Sequence, residues 1–168
     1  MRNLGVLTIS NGVWHGQRDD DSGKVLKDMS SALNGHVVKY DIVPDEENMI
    51  SRKLIEWADE SNMDIILTTG GTGLSPTDVT PEATLAVVDK LVPGITEAMR
   101  AKTFSITPFA ILSRAIAGIR GKCLIINLPG SPKAVMECLE VVMPAIPHAL
   151  EIMKEEVTQH LNEDTKRD

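Results

Sequence analysis

The chain has 168 residues, 42% hydrophobic but only 3% aromatic, enough for one domain with a core of Ile, Leu, Val, Ala and Met. A net charge of -7 argues against nucleic-acid backbone binding as the main task, and no apolar run has the length of a membrane span or the makeup of a signal-peptide core. Cys123 and Cys138 lack zinc or CxxC spacing, so they read as buried thiols of a reducing compartment, and the expected location is cytoplasmic.

Leu4–Ser10 reads as a buried first strand rich in β-branched residues. Asn11–Asp21 is polar, with Gly12, Gly16 and the charged run Arg18-Asp19-Asp20-Asp21. Its length suits a functional or mobile loop, although such a charge run is most often simply solvated. Ser22 and Gly23 open a helix that runs to Leu33 and stops at Asn34-Gly35. His36–Val43 alternates apolar and polar residues before Pro44, as expected of a strand near a sheet edge. Glu46–Glu60 places Ile50, Leu54, Trp57 and Ala58 on one helical face.

The next strand, residues 64–68, runs into Thr69-Gly70-Gly71-Thr72-Gly73, and the chain continues to Asp78-Val79-Thr80-Pro81-Glu82. Three glycines strip side chains from a turn where backbone N–H groups can converge on an anion. Thr80, Pro81 and Glu82 read as an N-cap, a first helical residue and a first-turn acid. The common phosphate fingerprints fail, since Pro76 stands where a dinucleotide pattern needs glycine and no lysine lies between Asp64 and Asp89. A phosphate loop and a plain connecting turn both remain open on these residues alone.

A helix follows from Thr80 to about Val88. Pro93-Gly94 breaks the chain, a helical pattern resumes over Ile95–Phe104, and Pro108 stops it. Phe109–Ser113 and Lys122–Leu128 read as strands. Leu128-Pro129-Gly130-Ser131-Pro132 repeats the earlier grammar of strand end, glycine, capping hydroxyl and helix, with Val135, Leu139 and Val142 as the inner stripe. A last helix starts near Pro144 and fades into a polar tail over residues 162–168. Strands alternating with helices predict a single α/β domain over residues 1–168, an open, mostly parallel, Rossmann-like three-layer sheet with helices on both faces. Ser10, the loop after Thr68, and Pro129-Gly130-Ser131 then share the carboxyl edge, where ligands bind.

Asp45 and Asp78 project from that same edge, and two carboxylates there suit Mg²⁺, a hard ion that also bridges phosphates. The competing role for Asp45 is to cap the helix that begins at Glu46. Ser113 and Arg114 offer a hydroxyl and a guanidinium to a phosphate, or else a helix cap and a surface cation. His15, His36, His148 and His160 have no ligand spacing.

Several motifs in order resemble the MogA/MoaB-type proteins of molybdenum-cofactor biosynthesis, whose fold is also that of the gephyrin G domain. They are Asp21-Ser22-Gly23, Val43-Pro44-Asp45-Glu46, Thr69-Gly70-Gly71-Thr72-Gly73, Asp78-Val79-Thr80-Pro81-Glu82-Ala83, Leu112-Ser113-Arg114-Ala115 with Gly118-Ile119-Arg120-Gly121, and Leu128-Pro129-Gly130-Ser131-Pro132. The resemblance covers roughly Val6 to Met153. It implies a homotrimer that binds molybdopterin and, in the adenylyltransferase members, uses MgATP to form adenylylated molybdopterin for a downstream metal-insertion protein. By motif, Asp45 and Asp78 match the family's essential acids, with Mg²⁺ their expected metal, and Ser113 matches its Leu-Ser-Arg hydroxyl. Gly70–Gly73 and Gly130-Ser131 match the pocket loops. Two departures stand out: Thr77 replaces a common arginine, and Asn11 replaces a common aspartate. They keep a non-catalytic pterin carrier as the alternative. A nicotinamide oxidoreductase is disfavoured by the failed glycine pattern.

Overall fold

The computed structural model describes residues 1–154. Strands β1 (Arg2–Ile9), β2 (Gly35–Val43), β3 (Ile65–Thr69), β4 (Lys90–Leu91), β5 (Ala117–Arg120) and β6 (Cys123–Leu128) form one sheet in the order β2-β1-β3-β6-β5-β4. The first four strands in that order run parallel, and β5 and β4 complete the sheet antiparallel. This is the open, mostly parallel α/β sheet expected from the sequence.

The central strands feed two cores because successive side chains leave opposite faces. Leu4, Val6, Ile65, Leu67, Leu124 and Ile126 face helices α2 (Asp21–Met29), α5 (Pro93–Phe104) and α6 (Pro132–Val142) through Leu26, Met99, Val135 and Leu139. Leu7, Ile9, Ile66, Cys123 and Ile125 face α3 (Glu47–Ile55) and α4 (Thr80–Leu85) through Ile50, Leu54 and Ala83. Strand β2 lies at the sheet edge and keeps its alternating pattern, half-covered at every second position.

Register brings the functional ends level. Ile9 pairs with Val43, Thr8 with Thr69, and Thr69 with Leu128, so the chain leaves β2, β1, β3 and β6 along one edge.

Several local expectations are corrected. Phe109–Ser113 is not a strand: Pro108–Leu112 forms a 3-10 helix, with Phe109, Ile111 and Leu112 exposed. The last two sheet positions instead go to β4, only two residues long, and β5, four residues with Gly118 among them, and stretches this short carry little periodicity. Pro93 and Gly94 start α5 rather than break the chain, since proline suits a first helical turn. Asn11–Trp14 within the polar stretch after β1 forms a short helix, α1, capped by Ser10. The next helix starts at Asp21 with Asp20 as its cap. Thr80 is not an N-cap, because Val79 holds that position and the Thr80 side chain is used elsewhere. Helical turns resume over residues 146–154, and the proposed tail at 162–168 lies outside the described residues.

Candidate functional site

The carboxyl edge opens into a cleft of about 700 Å³ whose floor is the glycine loop after β3. Gly70 has φ +99, and a Cβ there would lie 2.1 Å from the Ile9 carbonyl oxygen. Gly71 has φ +65, and its Cβ would lie 2.4 Å from Thr80 Oγ1. Only glycine lets the loop press this closely on β1 and α4. The loop is then stitched in place. Gly70 N–H donates to Leu128 O at 3.2 Å, Thr80 N–H to Gly71 O at 3.1 Å, and Thr80 Oγ1 to Gly70 O at 2.9 Å. Thr69 Oγ1 donates to Pro129 O at 2.6 Å, tying this loop to the one after β6. The next amides are different. Among the described residues, the N–H groups of Gly71, Thr72 and Gly73 donate to no protein acceptor.

Two carboxylates lean over this loop. A Cβ on Gly71 would sit 3.2 Å from Asp45 Oδ1, and one on Gly73 would sit 2.8 Å from Asp78 Oδ2. Asp45 does not cap α3, where Glu46 occupies the N-cap without a side-chain bond. Its Oδ2 instead accepts from Asn11 N–H at 2.8 Å, while Asp45 N–H donates to Asn11 Oδ1 at 3.0 Å. This reciprocal pair fastens the end of β2 to the end of β1. Asp78 Oδ2 accepts from Ser75 N–H at 3.1 Å, closing the turn that carries it. Each carboxylate has one remaining oxygen, Oδ1, with no hydrogen-bond donor among the described residues.

Of the residues expected from the sequence, Ser10, Asp21, Ser22, Asp45, Thr69, Gly70, Gly71, Asp78, Gly130 and Ser131 line this cleft together. Thr72, which is buried, and Gly73 follow in the same loop but are not among the residues that line the cleft. Gly23 is buried and gives its N–H to Asp20 Oδ1 at 2.9 Å. Ser113 and Pro129 line a second, smaller hollow of about 220 Å³ beside Met99, Thr103 and Cys138. Arg114 acts as a brace. Its guanidinium donates to Gly73 O and Asp78 O, both at 2.7 Å, and pairs with Glu82, while its own N–H reaches Thr72 O at 2.9 Å. The hydrogen bond from Arg114 holds the Glu82 carboxyl below its ordinary range.

Sequence reasoning missed Asp20 and Arg18. Asp20 is buried and accepts from Thr8 Oγ1 at 2.7 Å, Tyr40 Oη at 2.5 Å and Gly23 N–H, so it locks α2 to β1 and β2. Burial first, then the bond to Asp20 and its charge, keeps the Tyr40 hydroxyl protonated far above the ordinary phenol range. Arg18 lines the cleft with Asp19, Asp21, Asp45 and Asp78 around it. The run Arg18–Asp21 signalled charge, but not which members turn inward.

A family model described as a probable molybdopterin binding domain matches residues 5–148. A molybdopterin adenylyltransferase from Helicobacter pylori strain J99 is 47% identical over 152 residues, 89% of this chain and 86% of that protein. The molybdopterin adenylyltransferase of Escherichia coli K12 is 42% identical over 144 residues, 84% of this chain and 74% of that one. The crystal structure of the molybdopterin biosynthesis enzyme MoaB from Thermus thermophilus superposes with a TM-score of 0.87 at 46% identity, covering 91% of this chain and 96% of that one.

Proposed function

The chain belongs to the molybdopterin-binding domain family, and on that premise we propose how its cleft works. Its activity is that of a molybdopterin adenylyltransferase in molybdenum-cofactor biosynthesis, a nucleotidyltransferase. The reaction transfers AMP from ATP to molybdopterin. An oxygen of the pterin phosphate bonds to the α-phosphorus, the α–β anhydride bond breaks, and pyrophosphate departs with that electron pair.

The observation that carries this reading is the pair of carboxylates, Asp45 and Asp78, set over one glycine loop with unpaired amides. Transfer between phosphates needs alignment and charge neutralisation rather than a protein nucleophile. The N–H groups of Gly71, Thr72 and Gly73 donate to phosphate oxygens, and Gly130 and Ser131 border the pterin side. Mg²⁺ fits the donor set: two carboxylates, each with a spare oxygen, leave room for the waters and phosphates that this ion retains. Asp45 and Asp78 would hold it, and when bound it would supply positive charge against the phosphates. The backbone N–H of Asn11 fixes the Asp45 carboxylate, and the Asn11 side-chain oxygen accepts from the Asp45 N–H, contacts that an aspartate at this position could also make.

Assembly as a homotrimer follows from the resemblance, and exposed Phe104, Ile106, Phe109, Ile111 and Leu112 are apolar side chains that self-association of some kind would cover. A cytoplasmic location is consistent with two free, buried cysteines, and among the described residues no helix is long and apolar enough to cross a membrane. A downstream metal-insertion protein is the natural recipient of the product. The test combines purified protein, molybdopterin and MgATP, following pyrophosphate release and AMP on the pterin. Turnover that depends on molybdopterin supports the enzyme. Tight pterin binding without product supports the carrier instead.

A further inference from the structure

We propose that Arg18 is a phosphate-binding residue of the cleft, presenting its guanidinium fork to a substrate's phosphate oxygens. The inference rests on the adenylyltransferase reading and adds a residue that lies in none of the motifs of the resemblance.

The electrostatic problem of the cleft is visible in its lining. Asp19, Asp21, Asp45 and Asp78 are all acidic, and Arg18 is the one cation among the described lining residues. These carboxylates repel phosphates, so a side-chain cation at the cleft adds to what the backbone N–H groups and Mg²⁺ would offset. Thr77 offers none, since its hydroxyl sits 3.1 Å from Ser75 Oγ on the loop surface. Arg114 is committed to Gly73, Asp78 and Glu82.

Arg18 is placed by backbone. After α1 the chain folds back, with Gly16 N–H to Val13 O at 3.0 Å and Gln17 N–H to Gly12 O at 2.8 Å, which sets residue 18 over Gly12. A Cβ on Gly12 would lie 2.9 Å from Arg18 Nε and 3.4 Å from its Cζ, so the guanidinium rests on bare backbone. Its one hydrogen bond among the described residues runs from Nη2 to Ser10 Oγ at 3.3 Å. Asp21, close by in sequence, pairs with Lys24 at 3.3 Å and not with Arg18. A cation among carboxylates that forms no ion pair with them keeps most of its donors for a ligand. Ser10 precedes Asn11, the partner of Asp45, so the fork lies on the Asp45 side of the cleft. A planar fork matches two phosphate oxygens at once.

The test compares wild type with Arg18→Gln, Arg18→Lys and Gly12→Ala. Both substrates are varied in steady state, and binding of ATP and of inorganic pyrophosphate is measured by calorimetry with Mg²⁺. Loss of a charge-assisted pair predicts that Arg18→Gln raises KM for one phosphate substrate by about 10- to 100-fold, with kcat changed far less. Arg18→Lys falls between, since it keeps charge without the fork. Gly12→Ala displaces the guanidinium and weakens binding in the same direction, yet melts at or above wild type because alanine favours the helix. A rise in the KM of ATP with weaker pyrophosphate binding assigns the contact to the triphosphate. A rise confined to molybdopterin assigns it to the pterin phosphate. Unchanged KM values for both substrates in Arg18→Gln overturn the proposal. A wild-type protein inert toward ATP and molybdopterin overturns the adenylyltransferase reading first, and this inference with it.

Discussion

Replacing Gly70 with alanine tests whether the cleft floor is fixed by backbone contact. The new Cβ would meet the Ile9 carbonyl oxygen at 2.1 Å, where ordinary contact begins at 3.4 Å, so β1 and the loop must part by more than 1 Å. Neither side is a flexible side chain. The positive φ alone costs an L-residue about 1–2 kcal/mol. Parting the two segments also strains the Gly70 N–H to Leu128 bond and the Thr80 Oγ1 to Gly70 bond, each worth about 1 kcal/mol. The sum is about 3–4 kcal/mol, which for a chain of this size lowers Tm by about 10 °C. The matched control is Gly94→Ala on α5, where a Cβ meets nothing within 4 Å and alanine's propensity gains about 0.5 kcal/mol. Urea unfolding followed by far-UV circular dichroism measures both variants, and turnover with MgATP and molybdopterin is recorded alongside. If Gly70→Ala unfolds within about 0.5 kcal/mol of wild type, a margin typical of neutral surface changes, the account of the floor is wrong.

Asp78→Asn and Asp45→Asn should each reduce kcat by at least about 100-fold, the scale for removing one electrostatic contact to the transition state, while melting close to wild type. Activity retained in either variant removes that carboxylate from the metal site. Asn127 is fully buried, with Nδ2 donating to Thr68 and Thr84 hydroxyls and Oδ1 accepting from Ile116 N–H. Asn127→Ala orphans these groups and should cost about 2–4 kcal/mol in denaturant unfolding. Burial raises the Cys123 thiol to about 12 and the Cys138 thiol to about 11. The neutral thiols therefore favour the fold fully below the unfolded value of 9.0, and this contribution is lost as pH rises through 11 and 12. At pH 8 a disulfide dye should label neither until the chain unfolds, and rapid native labelling would contradict their burial. The lowered Glu82 has the opposite sense: its pair with Arg114 supports the fold above the unfolded value of 4.5 and fades as pH falls through the lower folded value. Arg114→Met should flatten that acid limb of the stability curve, and an unaltered limb would show that the pair contributes nothing.

The parallel half of the sheet was legible because buried strands such as Leu4–Ser10 and Lys122–Leu128 are apolar runs bounded by glycine, proline or polar turns. The ligand edge followed from it, since strand ends that carry Asp45, Gly70 and Gly130 must share one side. What failed has a common cause. Phe109–Ser113 is apolar for a reason unrelated to the sheet, since its side chains face outward, so its composition misled. Strands β4 and β5 depend on Gly118, whose Cβ would lie 2.8 Å from Lys90 O, and a glycine that permits a close approach looks in sequence like one that ends a segment. Likewise Arg18, Asp19, Asp20 and Asp21 form one polar run. Only the fold-back over Gly12 and the bonds to Thr8 and Tyr40 decide that Asp20 turns inward and Arg18 faces the cleft.

The stitching of the two glycine loops also bears on the thermodynamics of substrate capture. With Thr69 bonded to Pro129 and a Gly130 Cβ position only 3.4 Å from Gly70 Cα, the two loops behave as one plate of backbone anchored to β1, β3 and β6. A ligand landing on such a plate orders little of the protein, so its heat-capacity change should track buried surface alone, without the added signature of coupled folding. The contacts that form late in the reaction then act against a surface that does not yield.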